Sequence, residues 1–584
     1  MSLRPPRWDR FWMGAVVLIT SVAVVTILVH LVGLIQANPI PFDTDEADHA
    51  NAGLELYRAF GQSPSAVFTA ITRQAFYPPV NSVCVALAYA VAEPSLLASR
   101  LSSVVQFALF LVALFRLVWR ALAVSTENRT NSPDLTRLQP GDSSVSRKAT
   151  NFLDPATDNP NLAWRAIAAS FAVLAAASSP VIFLNALLVM LEPTGILLGT
   201  LLLLLLLRKE PQPILVGVVL TLIMLTKYSF GIVIAPATLA AFVLGPGTSI
   251  RERVRKVFPI GVTFGILMLS WVLVTDRHAM WHFFVGHPSY VPFLSWENLS
   301  FDFVAWFVEY TIHPVVAALV FAFALFAVRQ RLRQLAVRAA LLTVFFALVI
   351  LTISTTNETR HLMVLVPSAF FLGGLGVYDV LFAASKRAPV GLARVAGAAL
   401  VLGLVLGSFR LLTTIDPEAV LYFEGEPEFL ALEEFLLDKG LANGPILVAG
   451  GTDQLGVEAI RFLAASRSGV PYTAVRIDSY PFQKKRIREN RLRKRNVVGP
   501  YFDESHSASL GEVLNSGYYG TAVQIEPLAS SEETDVSIES VLGDHPHEDM
   551  TAAGFRVRVY PLAPIAKLDE ETNPLPTAVT GFVP

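Results

Sequence analysis

Long runs of apolar residues, separated by short polar breaks, dominate the first 410 residues of the chain. A helix needs about 20 mainly apolar residues to cross the hydrocarbon core of a bilayer. Several runs reach or approach that length and lack the alternation that a half-buried strand would show. The pattern predicts a polytopic α-helical membrane protein with about 11 spans, at residues 11–35, 101–119, 164–183, 192–207, 213–226, 228–245, 257–274, 304–328, 338–354, 361–382 and 391–409.

One further apolar stretch, residues 80–92, has only 13 residues. That length fits an interfacial or re-entrant helix better than a crossing. Whether this stretch crosses the membrane decides on which side of the membrane every later loop lies. If this stretch crossed, Arg208, Lys209 and the cluster at Arg251 would fall outside, against the rule that basic residues stay on the cytoplasmic side.

The basic residues of the breaks fix the predicted orientation. Arg4, Arg7 and Arg10 precede the first span and assign the N-terminus to the cytoplasm. Residues 36–100 and 276–302 then form external loops. The polar segment 121–162 forms a cytoplasmic loop, and residues 1–410 constitute one transmembrane domain.

The composition changes after Arg410 to that of a soluble chain. Residues 411–563 are predicted to form an extracytoplasmic α/β domain, with a short strand at 446–449, a turn, and a helix at 453–465. The stretch 450–456 loosely resembles a phosphate-binding loop, but a strand-to-helix turn explains it more simply. The basic run 484–495 fits either anionic headgroups or a solvated helix face. Residues 564–584 form a tail.

The composition excludes several classes of protein. Hydrophobic residues make up 53% of the chain and charged residues 16%, with a mean hydropathy of +0.53. These values exclude a soluble globular enzyme, a disordered chain and a fibrous one. The net charge of −2 provides no field for nucleic acid. The single cysteine, Cys84, allows neither an intramolecular disulfide nor a cysteine zinc cluster.

Ionisable residues at the ends of the predicted spans are the candidates for chemistry, because charges at membrane depth are costly. In the predicted topology they meet at the outer face. A carboxylate there can deprotonate an acceptor hydroxyl, while cations hold a departing phosphate. Structural roles compete: a helix cap, a helix-dipole acid, or cations that snorkel to the interface. The candidates are Asp45, Glu46, Glu192, Lys227, Arg360 and His361.

The order of these motifs resembles that of membrane-embedded GT-C glycosyltransferases. The likeness is greatest to the dolichyl-phosphate-mannose protein mannosyltransferase-like group, which includes the bacterial aminoarabinose transferases of lipid A. It covers residues 1 to about 410, and the C-terminal module resembles the extracytoplasmic domain of such enzymes. The motifs are residues 45–50 (Asp-Glu-Ala-Asp-His-Ala), 77–79 (Tyr-Pro-Pro), 191–193 (Leu-Glu-Pro), 225–227 (Leu-Thr-Lys) and 360–362 (Arg-His-Leu).

The resemblance implies a glycosyltransferase that moves a sugar from a polyprenyl-phosphate-sugar donor to a lipid, protein or glycan hydroxyl, with inversion. It implies Asp45 as the base, its neighbour Glu46 as a second catalytic residue, and Lys227 and Arg360 as ligands of the donor phosphate. Glu192, His49 and His361 would support them. No cofactor is required and no metal is implied, although some relatives in the wider class use a divalent ion. The expected setting is a bacterial inner membrane, with the C-terminal domain in the periplasm.

The chain departs from the family pattern at three positions. Glu192 stands where an Asp is usual, His49 where a Tyr follows the acidic pair, and Tyr228 where a Gly follows the Lys. Two other classes compete with the transferase: a multi-span transporter and a non-catalytic membrane scaffold. A transporter tends to show internal repeats, and interrupted helices with charges buried mid-span. The sequence suggests neither, which favours the transferase.

Overall fold

In the computed structural model, backbone is described for most of the transmembrane region and for parts of the C-terminal region. The described residues are 6–37, 44–74, 77–130, 162–245, 249–275, 314–353, 359–387, 389–414, 426–439, 446–450, 462, 474–477, 521–528, 545–552 and 555–562.

Helices occupy most of the described residues before 415. They are α1 Pro6–Ala37, α2 Thr44–Phe60, α3 Pro64–Arg73, α4 Val80–Val91, α5 Leu96–Thr130, α6 Leu162–Ala177, α7 Pro180–Leu187, α8 Glu192–Leu206, α9 Pro213–Met224, α10 Tyr228–Val243, α11 Ile250–Val274, α12 Pro314–Arg331, α13 Leu335–Ile353, α14 Val366–Ser385 and α15 Val390–Thr414. A 3₁₀ helix, Thr359–Leu365, leads directly into α14.

Each predicted span overlaps one of these helices, a bent pair of them or, for 361–382, the 3₁₀ helix and α14 together. Residues 304–313 of the eighth predicted span lie outside the described residues. Among the described residues, five helical stretches are long and apolar enough to cross a membrane: Asp9–Ala37, Leu96–Ala123, Arg251–Val274, Arg360–Ser385 and Val390–Arg410. The bent pair of α6 and α7 makes a sixth when counted as one span. The remaining predicted spans, α8, α9, α10, α12 and α13, are shorter apolar helices, so the count of 11 stays a prediction.

The end of the second predicted span differs from the structure. The sequence pattern ends it near residue 119, but α5 continues to Thr130, into the segment predicted as a cytoplasmic loop. Ala121 and Leu122 are 0% and 1% exposed, so this extra turn is still part of the core. The rest of that loop, residues 131–161, lies outside the described residues.

The third predicted span is broken near its end. Helices α6 and α7 meet at an angle of 63° across Ser178 and Ser179. Pro180, at the start of α7, has no backbone N–H and clashes with a continuing helix, which explains the break. The Ser178 hydroxyl donates to the Leu174 carbonyl, which also accepts from the Ser178 N–H at 2.9 Å.

The stretch predicted to be re-entrant forms a helix of its own, α4. At 12 residues it is about 18 Å long, shorter than the hydrocarbon core of about 30 Å. It packs against α2, where a β carbon at Gly53 would lie 2.7 Å from Val85 Cβ. Tyr89 also donates a 3.4 Å hydrogen bond to the Ala50 carbonyl. The glycine thus allows the two helices to approach closely.

Helices α12 and α14 approach each other through glycines as well. A β carbon at Gly376 would overlap the carbonyl oxygen of Phe323, and one at Gly373 would lie 3.2 Å from Val320 Cγ1. Small residues at helix crossings allow close backbone packing in membrane bundles. The same pair is joined by Arg331, whose Nε and Nη2 donate to the Asp379 carboxylate at 2.6 and 2.5 Å.

Asp379 is a buried charge near the end of a predicted span. It lies three residues before the end of the span 361–382 and is 3% exposed. The pairing with Arg331, which is 4% exposed, neutralises it. Since both oxygens of Asp379 bond to the guanidinium, the pair acts as a brace between two helices.

The C-terminal region contains a mixed sheet. Its strands are β1 Ile446–Gly450, β2 Ala474–Ile477, β3 Thr521–Pro527, β4 Glu548–Ala552 and β5 Phe555–Pro561, in the order β2-β1-β3-β5-β4. β1 pairs in parallel with β2 and β3, while β5 pairs antiparallel with β3 and β4. Helix α16, Glu426–Lys439, packs against β4 and β5. The region therefore contains both a helix and a sheet, as the α/β prediction requires.

Several predictions for this region and its neighbours fall outside the described residues. They are most of the helix predicted at 453–465, the loop after Gly450, the basic run 484–495, the external loop 276–302 and the tail 564–584. The strand predicted at 446–449 coincides with β1, which includes Gly450 as well.

We predict that Gly376→Leu disrupts the transmembrane domain, because its side chain would collide with the backbone of Phe323. We expect a clear loss of folded protein and a lower thermal midpoint in detergent. Gly403→Ala is the control: nothing lies within 4 Å of a β carbon there, and alanine is better than glycine in a helix by about 0.5–1 kcal/mol. Equal behaviour of the two variants would contradict the assigned packing.

Candidate active site

The site predicted from the sequence has its centre at the start of α8. Glu192 is the first residue of that helix and is 1% exposed. Lys227, directly before α10, is 6% exposed and pairs with the Glu192 carboxylate. The burial of both groups rejects the interpretation of Lys227 as a snorkelling surface anchor.

Arg360 belongs to the same group of charges. It lies in the 3₁₀ helix, which packs against α8, α10 and α13, and its charge acts on the Glu192 carboxylate. His361, the next residue, is half-buried. Residues 192, 227 and 360, which are far apart in the sequence, thus converge as predicted.

Two glycines allow this convergence. A β carbon at Gly195 would lie 2.8 Å from the Phe230 ring, so the first turn of α8 can approach the first turn of α10 only without one. At Gly231, a β carbon would lie 2.7 Å from the Met224 Cα, which closes the hairpin between α9 and α10 tightly. The Trp271 Nε1–H donates a 3.1 Å hydrogen bond to the Tyr228 hydroxyl and secures the residue after Lys227.

Helix α4 begins beside the same hairpin. The Val80 N–H donates a 3.1 Å hydrogen bond to the Leu225 carbonyl, two residues before Lys227. The Tyr-Pro-Pro motif, residues 77–79, is therefore next to the Leu-Thr-Lys motif. The Tyr77 ring also lies 4.6 Å from the His49 ring, edge to face.

The acidic motif after the first span forms the first turns of α2. Glu46 is 1% exposed, and both of its oxygens are used: Arg100 Nε donates to Oε1 at 3.2 Å and Nη2 to Oε2 at 2.9 Å. The Val189 N–H also donates to Oε1 at 2.7 Å. Glu46 thus joins α2 to α5 and to the segment just before α8. Both oxygens of Glu46 therefore have partners within the protein, and the catalytic role predicted for it beside Asp45 stays a prediction.

Asp45 lies in the first turn of α2, one residue before Glu46. The placement of its side chain is outside what the structure describes. Asp48 and His49, in the next turn, are 6% and 3% exposed. The helix begins at Thr44, so Asp45 is helical and does not precede the helix as a cap.

Sequence reasoning missed three polar residues behind this site. Asn81, Gln106 and Thr194 are 0%, 4% and 3% exposed. The Thr194 hydroxyl contacts the amide oxygens of both Asn81, at 2.8 Å, and Gln106. The signal that could have found them is a polar side chain within or at the edge of an apolar stretch. Arg100, in the second turn of α5, carries the same signal.

Metal binding finds no support in the described residues, where no group of three or more His, Cys, Asp and Glu side chains could hold an ion. The acids and histidines that do converge here are used in other ways. Glu46 and Glu192 pair with cations, and His49 contacts Tyr77.

The comparisons with known proteins identify the fold. Two solved structures of ArnT from Cupriavidus metallidurans match over 94% of this chain and 98% of theirs. The apo form has a TM-score of 0.59 at 13% identity, and the form bound to undecaprenyl phosphate has 0.58 at 14%. The chain has the ArnT fold. No family model matches the sequence, and no curated protein does.

ArnT is an aminoarabinose transferase of the GT-C class, so the fold expected from the motifs is confirmed. The chain is a polytopic α-helical membrane protein with a small C-terminal sheet. At 13–14% identity the likeness establishes the architecture of this chain and leaves its chemistry to the residues of the site.

We predict that Arg100→Met destabilises the protein by about 3–5 kcal/mol, because it leaves the buried Glu46 carboxylate without its partner. Adding Glu46→Gln removes the unpaired charge, retains an acceptor for the Val189 N–H, and should recover much of the loss. Thermal unfolding in detergent measures both variants. Glu252→Gln, in an exposed pair with Lys256, is the control and should cost below about 1 kcal/mol. A similar small cost for Arg100→Met would contradict this assignment.

Proposed function

We propose that this chain is a glycosyltransferase that moves a sugar from a polyprenyl-phosphate-sugar donor to an acceptor hydroxyl, with inversion. The observation that carries the proposal is the buried pair of Lys227 and Glu192, with the half-buried Arg360 beside it, at one end of the bundle. It occurs in a fold shared with a protein crystallised with undecaprenyl phosphate. A lipid-linked donor explains why the reaction belongs in a membrane: its tail stays among the helices while its phosphate meets the cations.

The charges of this group suit a phosphate that gains negative charge as it leaves. A lipid-phosphate-sugar is a phosphodiester with one negative charge, and the lipid phosphate released from it carries more. Lys227 and Arg360 together supply two positive charges, and Glu192 offsets one of them. Cations fixed where charge develops stabilise the transition state most effectively in a site that excludes water. Arg360 offers a planar fork and Lys227 a point charge.

Glu192 has a second use in this scheme. An uncompensated ammonium in an apolar bundle is costly, so Lys227 requires a partner when no donor is bound. The carboxylate provides it. The Lys227 ammonium can then divide its hydrogen bonds between Glu192 and the donor phosphate without having been buried alone. His361, beside Arg360, supports the same group.

We assign the base to Asp45. Its carboxylate takes the proton from the acceptor hydroxyl as that oxygen attacks the anomeric carbon of the sugar. The bond from this carbon to the phosphate oxygen breaks in the same step, and the lipid phosphate leaves with the electron pair. Direct displacement inverts the anomeric centre. Glu46, held by Arg100 and Val189, fixes the turn that carries Asp45, and His49 supports it.

The orientation we propose follows from helix α8. This helix begins at Glu192 and ends just before the exposed Arg208 and Lys209, so the site and a basic turn lie at its opposite ends. Exposed basic residues at Arg333 and Arg387 mark further turns of the same kind. Because basic breaks stay in the cytoplasm, the site faces outward. In a bacterial inner membrane, with the N-terminus in the cytoplasm, that side is the periplasm.

Removing the ion pair should weaken donor-lipid binding. We expect Lys227→Met combined with Glu192→Gln to lower the affinity for undecaprenyl phosphate by about 10–100-fold, the equivalent of one charged hydrogen bond. Arg360→Met should act in the same direction. The double variant removes both charges, so no lone buried charge complicates folding. Binding of labelled undecaprenyl phosphate to the protein in nanodiscs measures the effect.

The matched control for this experiment is Lys256→Met, which removes an exposed lysine of α11 and should leave binding unchanged. If the double variant binds the lipid as tightly as the wild type, Lys227 is not a ligand of its phosphate.

Replacing the proposed base should stop turnover and leave lipid binding intact. We expect Asp45→Asn to lower kcat by at least about 10²–10⁴-fold, the range typical of a lost general base. The assay follows radiolabelled sugar from a panel of polyprenyl-phosphate monosaccharides to an acceptor or to water. Normal turnover in Asp45→Asn would exclude this residue as the base, whereas no turnover of the wild type across the panel would favour a transporter or a scaffold.

A further inference from the structure

A buried polar network ties the first turn of α8 to two neighbouring helices. The Thr194 hydroxyl, two residues after Glu192, contacts Asn81 Oδ1 of α4 at 2.8 Å and Gln106 Oε1 of α5. All three side chains are at least nine-tenths buried among apolar residues. Polar groups in such a place are retained only when they bond to each other, because water is absent.

The number of donor hydrogens on each side chain determines how this network is connected. A threonine hydroxyl donates one hydrogen, so it cannot serve two amide oxygens at once. Oxygen and nitrogen of an amide are distinguished only by their partners. One of the two amides must therefore present its NH₂ group to Thr194 Oγ1, while the other accepts from it. In either arrangement Thr194 bonds to both helices.

Three bonds then close a ring around the candidate site. Glu192 pairs with Lys227, the Leu225 carbonyl accepts from the Val80 N–H at 3.1 Å, and Asn81 bonds to Thr194. The ring runs from α8 to the α9–α10 hairpin, then to α4, and back to α8. Val80 and Asn81 are adjacent residues, so the hairpin and the polar network are anchored at the same point of α4.

Neither helix start is capped by the side chain of the residue before it. Leu191, before α8, makes no side-chain capping bond, and Lys227 makes none at the start of α10. The first turns of both helices therefore have backbone N–H groups without a side-chain cap. The start of α10 is held by the bond from Trp271 to Tyr228, and the bond from Thr194 to α4 restrains the turn that holds Glu192.

We propose that Thr194 is a positioning residue for the proposed phosphate site, acting through Asn81 and α4 on the Glu192–Lys227 pair. This inference rests on the proposed function. Helix α4 is too short to cross the membrane. In this proposal its role is to fix the distance between the start of α8 and the start of α10. The proposal also gives a reason for Asn81 in the first turn of α4 and for Thr194 two residues after Glu192 in α8.

The test compares three variants of α8 in nanodiscs. Thr194→Val keeps the shape and removes the hydroxyl, and Thr194→Ser restores the hydroxyl. Thr200→Val is the matched control, since Thr200 is fully buried in the same helix but bonds only to its own Ile196 carbonyl. We expect Thr194→Val to weaken undecaprenyl phosphate binding by about 3–10-fold, with recovery in Thr194→Ser and no change in Thr200→Val.

A double-mutant cycle separates positioning from general loss of stability. In the Lys227→Met, Glu192→Gln background the ring is already open, so adding Thr194→Val should have no further effect on lipid binding. Independent effects would add instead. Full additivity, or equal effects of Thr194→Val and Thr200→Val, would overturn the proposal.

Hydrogen exchange provides a readout that needs no lipid. Thr194→Val should speed exchange in residues 192–196 and also in residues 225–228, while Thr200→Val should leave the hairpin unchanged. If the wild type binds no undecaprenyl phosphate, the proposed function fails and exchange still decides whether the ring exists. If the wild type binds it but Thr194→Val alters neither readout, only the ring fails.

Discussion

A charge or polar group inside an apolar bundle must find its partner within the protein, and this requirement organises the transmembrane region. Each buried ion pair joins segments far apart in the sequence. Glu46 and Arg100 are 54 residues apart, and Glu192 and Lys227 are 35 residues apart. Arg331 and Asp379 are separated by 48 residues, and Asp9 and Arg394 by 385. Since breaking such a pair leaves an uncompensated charge, the pairs specify which helices lie together.

The pairs fall into two groups by their place in the fold. Arg331–Asp379 and Asp9–Arg394 join helices near the basic breaks, where they brace α12 to α14 and α1 to α15. Glu46–Arg100 and Glu192–Lys227 lie at the starts of α2 and α8, where the sequence motifs of the site also converge. The same physical device thus serves as a brace in one region and as the frame of the candidate site in the other.

Phe462, in the described part of the C-terminal region, packs against this frame. Phe462 is 2% exposed and belongs to an apolar cluster with Ala47, Ala50 and Leu54 of α2. Val189, which donates its N–H to Glu46, belongs to the same cluster. The helix that carries Asp45 is therefore packed between the membrane helices and a residue of the C-terminal region. Its position depends on both parts of the chain.

The sequence by itself determined the membrane class, the order of the helices and the candidate residues at their ends. Apolar runs indicate helices directly, because the length of a run and the sign of its flanking charges can be read from residues that are neighbours in the sequence. Lys227, Glu192 and Arg360 could be found in the same way, since each interrupts or opens such a run. The short α4 was also predictable from its length.

Only the tertiary structure decided which of these charges are partners. Nothing local distinguishes Glu46, whose oxygens are used by Arg100 and Val189, from an acid free for proton transfer. The burial of Asp379 within a span, and the bonds of Thr194 to two other helices, depend on contacts between segments brought together by packing. Glycines such as Gly195 and Gly231 set how closely those segments approach. The sequence around a lone glycine in an apolar run does not show which residue will pack against it.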